Sequence, residues 1–210
     1  MKLIIFGATG TIGNHVVEQS LDKGYKVSAF SRNKNNLNKF SHPNLNKIKG
    51  DVFNPKDVQN AIKGQDIVII VLGSGKSSHS VVRSKGTQNI IEVMKINGVK
   101  RLICQSTLGA GESKENLNFF WKNIMFGWFL KQVLLDHELQ EKYVKNSGLD
   151  WTIVRPAAFT DGEKTEDYRH GFSSVDKSVK LKIARADVAN FILQQLDSSM
   201  YLFKSPGLSY

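Results

Sequence analysis

The sequence predicts an α/β protein: a doubly wound parallel sheet with helices on both faces. Three observations predict it. Apolar runs alternate with helix-like stretches along most of the chain. The turns between many of them are short. A glycine-rich turn, Gly7-Ala8-Thr9-Gly10-Thr11-Ile12-Gly13, joins the first apolar run to the first helix.

Residues 3–6 are wholly apolar, as a strand buried on both faces requires. A helix follows over residues 11–23. Gly24 stops it, because glycine accepts the left-handed turn past a helix end. Residues 27–30 read as a second strand and 46–49 as a weak third. Pro55 opens a short helix that ends near Gly64, its missing N–H being harmless at a first helical position. Residues 67–72, Ile-Val-Ile-Ile-Val-Leu, form the strongest strand. A long helix is expected over residues 80–96, closed by Asn97-Gly98. Residues 101–105 and 151–154 are the fifth and sixth strands, with an aromatic and then helical stretch between them. A last helix covers residues 186–196. Repeats, low-complexity segments and linkers are absent, so residues 1–210 read as one domain.

Composition narrows the class. Of 210 residues, 40% are hydrophobic and 23% charged, enough apolar surface for a core. The single cysteine, Cys104, excludes an internal disulfide framework and a multi-cysteine zinc site. The apolar run that Gly7 ends is too short for a secretory signal, and nothing reaches the ~18 apolar residues of a membrane span. The expectation is a soluble cytoplasmic protein.

The glycine turn carries the first functional signal. Its G-x-x-G-x-x-G spacing is one residue longer than the G-x-G-x-x-G dinucleotide fingerprint, but the physics is shared. Glycine lets the backbone approach a pyrophosphate, and the N–H groups and dipole at the helix start hold the anion. The candidates are Gly7, Thr9, Gly10, Thr11, Ile12 and Gly13, on a Rossmann-type sheet. A P-loop is excluded, since no Gly-Lys-Ser/Thr follows.

The end of the second strand selects the cofactor. An NAD site wants an acid there for the ribose hydroxyls. This chain has Ser31-Arg32-Asn33-Lys34 instead. Arg32 suits a bidentate contact to a 2′-phosphate, so Ser31 and Arg32 point to NADPH, against the alternative of a solvated loop arginine. Asp51 and Val52 are placed to flank the adenine. Leu72, Gly73, Ser74 and Gly75 end the fourth strand, where small residues allow the ribose close, or simply make a turn.

The chain resembles the atypical short-chain dehydrogenase/reductases. That NAD(P)H-binding group includes biliverdin reductase B (flavin reductase) and the NmrA-like proteins. The resemblance covers nearly the whole chain. It rests on Phe6-Gly7-Ala8-Thr9-Gly10, Gly50-Asp51-Val52, Gly64-Gln65-Asp66-Ile67-Val68, Ser106-Thr107-Leu108-Gly109 and Arg185-Ala186-Asp187-Val188. The longest match is Ser147-Gly148-Leu149-Asp150-Trp151-Thr152-Ile153-Val154-Arg155-Pro156. It implies the fold and an NADPH-dependent reductase activity.

The chain departs from the superfamily at one point. Ordinary members use Tyr-x-x-x-Lys, in which the tyrosine gives a carbonyl its proton. None of the five tyrosines here has a lysine four residues on. By spacing to Ser147-Gly148-Leu149, the tyrosine position falls at Val133 and the lysine position at His137. Hydride transfer to a flavin or quinone tolerates this loss, because a delocalised anion can take its proton from water. Asp136-His137 aligns with an Asp-His pair of the biliverdin reductase B-like relatives. His137 could thus supply a proton or stabilise charge, an unperturbed histidine titrating near neutrality, or could sit idle on a helix surface. Ser106 and Thr107, at the fifth strand's end, are candidates to bind the nicotinamide amide or an acceptor oxygen. Arg155, Pro156 and Ala157 would lie beside the nicotinamide by the resemblance.

Residues 119–130, Phe-Phe-Trp-Lys-Asn-Ile-Met-Phe-Gly-Trp-Phe-Leu, are the most aromatic stretch. A pocket wall for a planar substrate or core packing fits it better than a membrane surface, since Lys122 and Asn123 interrupt the run.

These readings converge on an NADPH-dependent reductase acting on a planar conjugated small molecule: a flavin, quinone or tetrapyrrole. The acceptor pocket falls mainly in residues 106–185. Neither nucleic acid nor a membrane is an expected partner. The rival readings are a non-catalytic NADP(H)-sensing regulator of the NmrA-like kind and an epimerase, which also leans on the missing tyrosine. The net charge of +10 agrees with a dinucleotide ligand. All of it falls in residues 1–110, which carry sixteen basic side chains against six acidic ones and most of the proposed cofactor site.

Overall fold

The computed structural model describes residues 1–75, 80–172 and 175–210. The chain runs β1 (Lys2–Phe6), α1 (Thr11–Asp22), β2 (Lys26–Ser31), β3 (Leu45–Lys49), α2 (Pro55–Ile62), β4 (Ile67–Ile70), α3 (Val82–Asn97) and β5 (Arg101–Gln105). A π-helical segment, Phe120–Phe129, leads into α4 (Lys131–Lys145). There follow β6 (Asp150–Pro156), β7 (Ala158–Thr160), β8 (Arg169–His170), β9 (Lys182–Ala184), α5 (Arg185–Gln194) and β10 (Gly207–Ser209).

The main sheet has the order β3-β2-β1-β4-β5-β6-β10-β8 among the described residues. All neighbours pair parallel except β8, which runs antiparallel to β10 at the edge. The expected Rossmann-type parallel sheet is therefore present, with one antiparallel edge strand added. A separate parallel pair joins β7 to β9.

Alternation along β1 explains the two layers. Leu3 and Ile5 belong to the core under α1 and α5, while Ile4 and Phe6 belong to the core under α2 and α3. All four are fully buried. The chain winds from β1 outward through β2 and β3, then returns to the other side of β1 at β4. Such a reversal leaves a crevice at the carboxyl ends of the strands, and the glycine turn opens onto it.

Two glycines are dictated by this geometry. Gly7 has φ +93°, and a Cβ there would overlap the Val71 carbonyl. A Cβ on Gly13 would overlap the Gly7 carbonyl, so α1 could not start so close to β1.

Candidate functional site

A cavity of about 1100 Å³ lies along the carboxyl ends of β1, β2, β4 and β5. At one end it meets the start of α1. Gly10 caps that helix without a side-chain hydrogen bond, and the first turn holds no acid. Its positive end is therefore open to an anion. Gly7, Thr9, Gly10, Thr11 and Ile12 line the cavity here; Gly13 stands behind them as a packing residue. This cradle fits a dinucleotide diphosphate.

The neighbouring wall comes from β2. The Ser31 hydroxyl donates to the Asn33 carbonyl (3.1 Å), shaping the loop that carries Arg32 to the cavity. Arg32 is exposed and has no acidic partner within 4.0 Å among the described residues. Asp51 and Val52 line the same end. Asp51 Oδ1 accepts from the Phe53 N–H (3.0 Å), and Asn89 holds the Val52 carbonyl (2.9 Å). Leu72, Gly73, Ser74 and Gly75 follow along the cavity floor.

The other end is apolar. Thr107, Ala157, Phe159 and Leu181 line it, as do Trp121, Phe126 and Leu130. The π-helical segment is two-sided. The Leu130 N–H reaches back five residues to the Met125 carbonyl (2.7 Å). Trp121 and Phe126, with ring centroids 6.0 Å apart, form the wall, while Phe119, Trp128 and Phe129 are exposed. The aromatic stretch thus combines the two expectations, a cavity wall and core packing, since Phe126 belongs to the core and Trp121 packs against it, and it adds a solvent-facing back.

His137 lines the cavity and is only 4% exposed. Burial, reinforced by the Arg83 cation, pushes its pKa down to about 3. At neutral pH it carries no surplus proton, which corrects the expectation of a histidine titrating near neutrality. The adjacent Asp136 does not serve His137. It caps α3 from outside, accepting from the Ser84 N–H (3.0 Å), the Ser84 hydroxyl (2.5 Å) and the Arg83 N–H (3.2 Å).

Two expected residues sit beneath the cavity instead of on it. Ser106 is fully buried and donates to Glu141 Oε1 (2.8 Å). Arg155, 1% exposed, turns toward α4: its Nε donates to Glu141 Oε1 (2.8 Å) and its Nη2 to Glu141 Oε2 (2.7 Å). A third contact runs from Nη1 to Glu112 Oε1 (2.5 Å). A buried cation needs such partners, and α4 supplies them where the cavity offers none. Burial raises the Glu141 carboxyl, but the Arg155 guanidinium outweighs it and holds the pKa below the usual range. Pro156 also stands off the cavity, and Ala157 is the member of the trio that reaches it.

Two arginines escape sequence reasoning. Arg83 lines the cavity from α3 and donates to Ser74 Oγ (3.2 Å). Arg185 lines it from the start of α5. Arg83 follows no motif. Arg185 lay within Arg185-Ala186-Asp187-Val188, a matched stretch, but nothing there distinguished a cavity arginine from a helix-start one. The next acid, Asp187, is a fully buried knot. Its carboxylate accepts from the Thr165 N–H (2.8 Å), the Glu166 N–H (2.9 Å) and the Tyr210 hydroxyl (2.7 Å).

A sequence profile described as NAD(P)H-binding matches residues 7–199. The chain belongs to this NAD(P)H-binding family. Its cofactor is accordingly a nicotinamide dinucleotide, as the glycine cradle implied. Among curated relatives, this family member is 28% identical over 202 residues to the uncharacterized sugar epimerase YhfK of Bacillus subtilis, covering 90% of each chain. Among solved structures, it is 28% identical to a Rossmann-fold NAD(P)-binding family protein from Shigella flexneri. That match has a TM-score of 0.76 and covers 99% of this chain and 92% of the other. It also shares its fold with ChuY, an anaerobilin reductase from Escherichia coli O157:H7. There the identity is 22%, the TM-score 0.84, and the coverage 100% and 97%. Among the described residues, no helix is long and apolar enough to cross a membrane.

Proposed function

We propose that the protein is an NADPH-dependent reductase that delivers hydride to a planar conjugated acceptor such as a flavin, a quinone or a tetrapyrrole. The observation that carries this reading is the continuity of the cavity. One space runs from the glycine turn to the Trp121 and Phe126 wall, and neither tyrosine nor lysine lines it among the described residues.

The nicotinamide, when bound, supplies the hydride. The chain's own groups bind and orient. The open start of α1 holds the diphosphate, Arg32 the 2′-phosphate, Asp51 and Val52 the adenine, and residues 72–75 the ribose. Thr107 offers a hydroxyl at the strand end. Trp121 and Phe126 pack on a planar ring and exclude water. His137 accepts a hydrogen bond; it has no proton to give. A simple carbonyl would leave an alkoxide that needs an acid. A conjugated acceptor spreads the charge and can wait for water.

The tetrapyrrole class gains support from the fold shared with an anaerobilin reductase. The epimerase reading, suggested by the name of a relative, lacks its tyrosine: Val133 lines the cavity at that position. In this proposal residues 1–210 form one unit working in the cytoplasm on a small molecule, with the acceptor half built mainly by residues 106–185. The lack of an acid favours the sensor reading, and the roomy apolar end favours the enzyme. Stopped-flow mixing with NADPH and a panel of flavins, quinones and tetrapyrroles decides between them. Oxidation by at least one acceptor is expected; tight binding without oxidation by any would sink the reductase.

A further inference from the structure

Arg185 sits at the apolar end of the cavity with its guanidinium 5.5 Å from the Phe159 ring centroid. Its Nη1 lies 2.5 Å from Asp161 Oδ1. The pair is unequal: the Arg185 side chain is 20% exposed and that of Asp161 91%. An acid so exposed loses little by returning to water, so it is a weak and replaceable partner. The Arg185 Nε is enclosed and has no hydrogen-bond partner among the described residues. A guanidinium presents its donors as a fork that one carboxylate oxygen does not fill.

The surroundings favour an anion. Arg83 reaches the same cavity from the opposite face of the sheet, since α3 packs with α2 and α4 while α5 packs with α1. Asp136 answers the Arg83 charge at 3.6 Å. No acidic side chain lines the apolar end among the described residues; Asp51 lines the far end, beside Arg32. A neutral planar molecule filling this end would strip water from Arg185 and return nothing.

We propose that the acceptor is anionic and that Arg185 is its anchor, exchanging Asp161 for a carboxylate or phosphate on the incoming molecule. This rests on the reductase reading above. The ring would then lie along Phe159 toward Trp121 and Phe126.

The test uses two probe pairs that share a ring and differ in charge: FMN with riboflavin, and biliverdin with its dimethyl ester. The wild-type protein should favour the charged member of at least one pair, and which pair responds tells phosphate from carboxylate. Arg185→Gln should raise the KM of that charged member about tenfold or more, the loss expected for a charge-assisted pair. The neutral member and the Kd for NADPH should stay within about twofold. Arg185→Lys should retain part of the preference. Asp161→Asn, which removes the competitor, should lower the KM of the charged member. Direct titration by fluorescence or absorbance reads the same preference without turnover, so a protein that oxidises no NADPH would end the reductase reading while still reporting on Arg185. No charge preference in the wild-type protein, equal weakening of both members by Arg185→Gln, or a loss confined to NADPH would overturn the proposal.

Discussion

His137 Nδ1 lies 3.2 Å from Gln140 Oε1, and the Gln140 amide nitrogen donates in turn to Thr87 Oγ1 at 3.0 Å. With its N–H₂ committed to Thr87, the glutamine can only accept from the ring. The imidazole proton is therefore held on Nδ1, leaving Nε2 as an acceptor.

This histidine should be visible in the pH dependence of stability. Its folded pKa, about 3, lies below the usual value, so below about pH 6.5 the unfolded chain binds a proton that the folded chain refuses. Stability then falls with falling pH by about 1.4 kcal/mol per unit until the folded pKa is reached. His137→Gln should flatten this slope, by about 2 kcal/mol at pH 5 relative to pH 7, in urea melts. An unchanged slope would show that the ring is not held neutral.

Arg32→Glu should weaken NADPH by roughly tenfold to a hundredfold and NADH far less, in fluorescence titrations. The reason is local: in the proposed reading a 2′-phosphate would meet this cation and no acid in the loop after β2. Equal weakening of both cofactors would refute the assignment.

Arg155→Met should destabilise the fold by about 3–5 kcal/mol in urea melts, because the buried Glu141 is left with only the half-exposed Lys145 as its cation. Adding Glu141→Leu should recover part of that loss. No recovery in the double variant would mean that Arg155 stabilises chiefly by packing.

Gly13→Ala should impair both cofactors alike, since α1 must back away from the Gly7 carbonyl and take the diphosphate cradle with it. A drop of at least about tenfold in affinity for each is expected by calorimetry. An effect on one cofactor alone would contradict the shared cradle.

Trp121→Ala should raise the KM for the acceptor and leave the Kd for NADPH within about twofold, because the indole lines the cavity beside Phe126, in the proposed acceptor wall. A parallel loss of NADPH affinity would place the wall against the cofactor instead.

Five of the first six strands were legible because each holds an apolar run bounded by turn residues, as in residues 67–72, while the mostly polar third was legible only weakly. The last four were not: β7, β8, β9 and β10 are only two or three residues long and lie among polar neighbours. They form through long-range pairing, which leaves no periodic signature. The glycine cradle and Arg32 could be read from local spacing. The burial of Ser106 and Arg155 could not, because it depends on Glu141, a residue from another element that no spacing links to them. His137 was found at its position, but its protonation follows from neighbours on α3 and α4 that only the packing of those helices brings together.

The Asp187 knot fastens distant segments of the chain to one helix start. It ties residues 165 and 166 to Tyr210, and the Tyr210 hydroxyl also accepts from the Ala184 N–H (3.1 Å) at the entry to α5. The entry to α5, which presents Arg185, is thus fastened by a residue twenty-five positions further along the chain. α5 packs in turn against α1, so the core under β1 is complete only when residues 185–194 are in place. One helix therefore bears on the cavity twice, through Arg185 at its own start and through α1, whose start is the glycine turn, so slackening the knot would loosen both walls together.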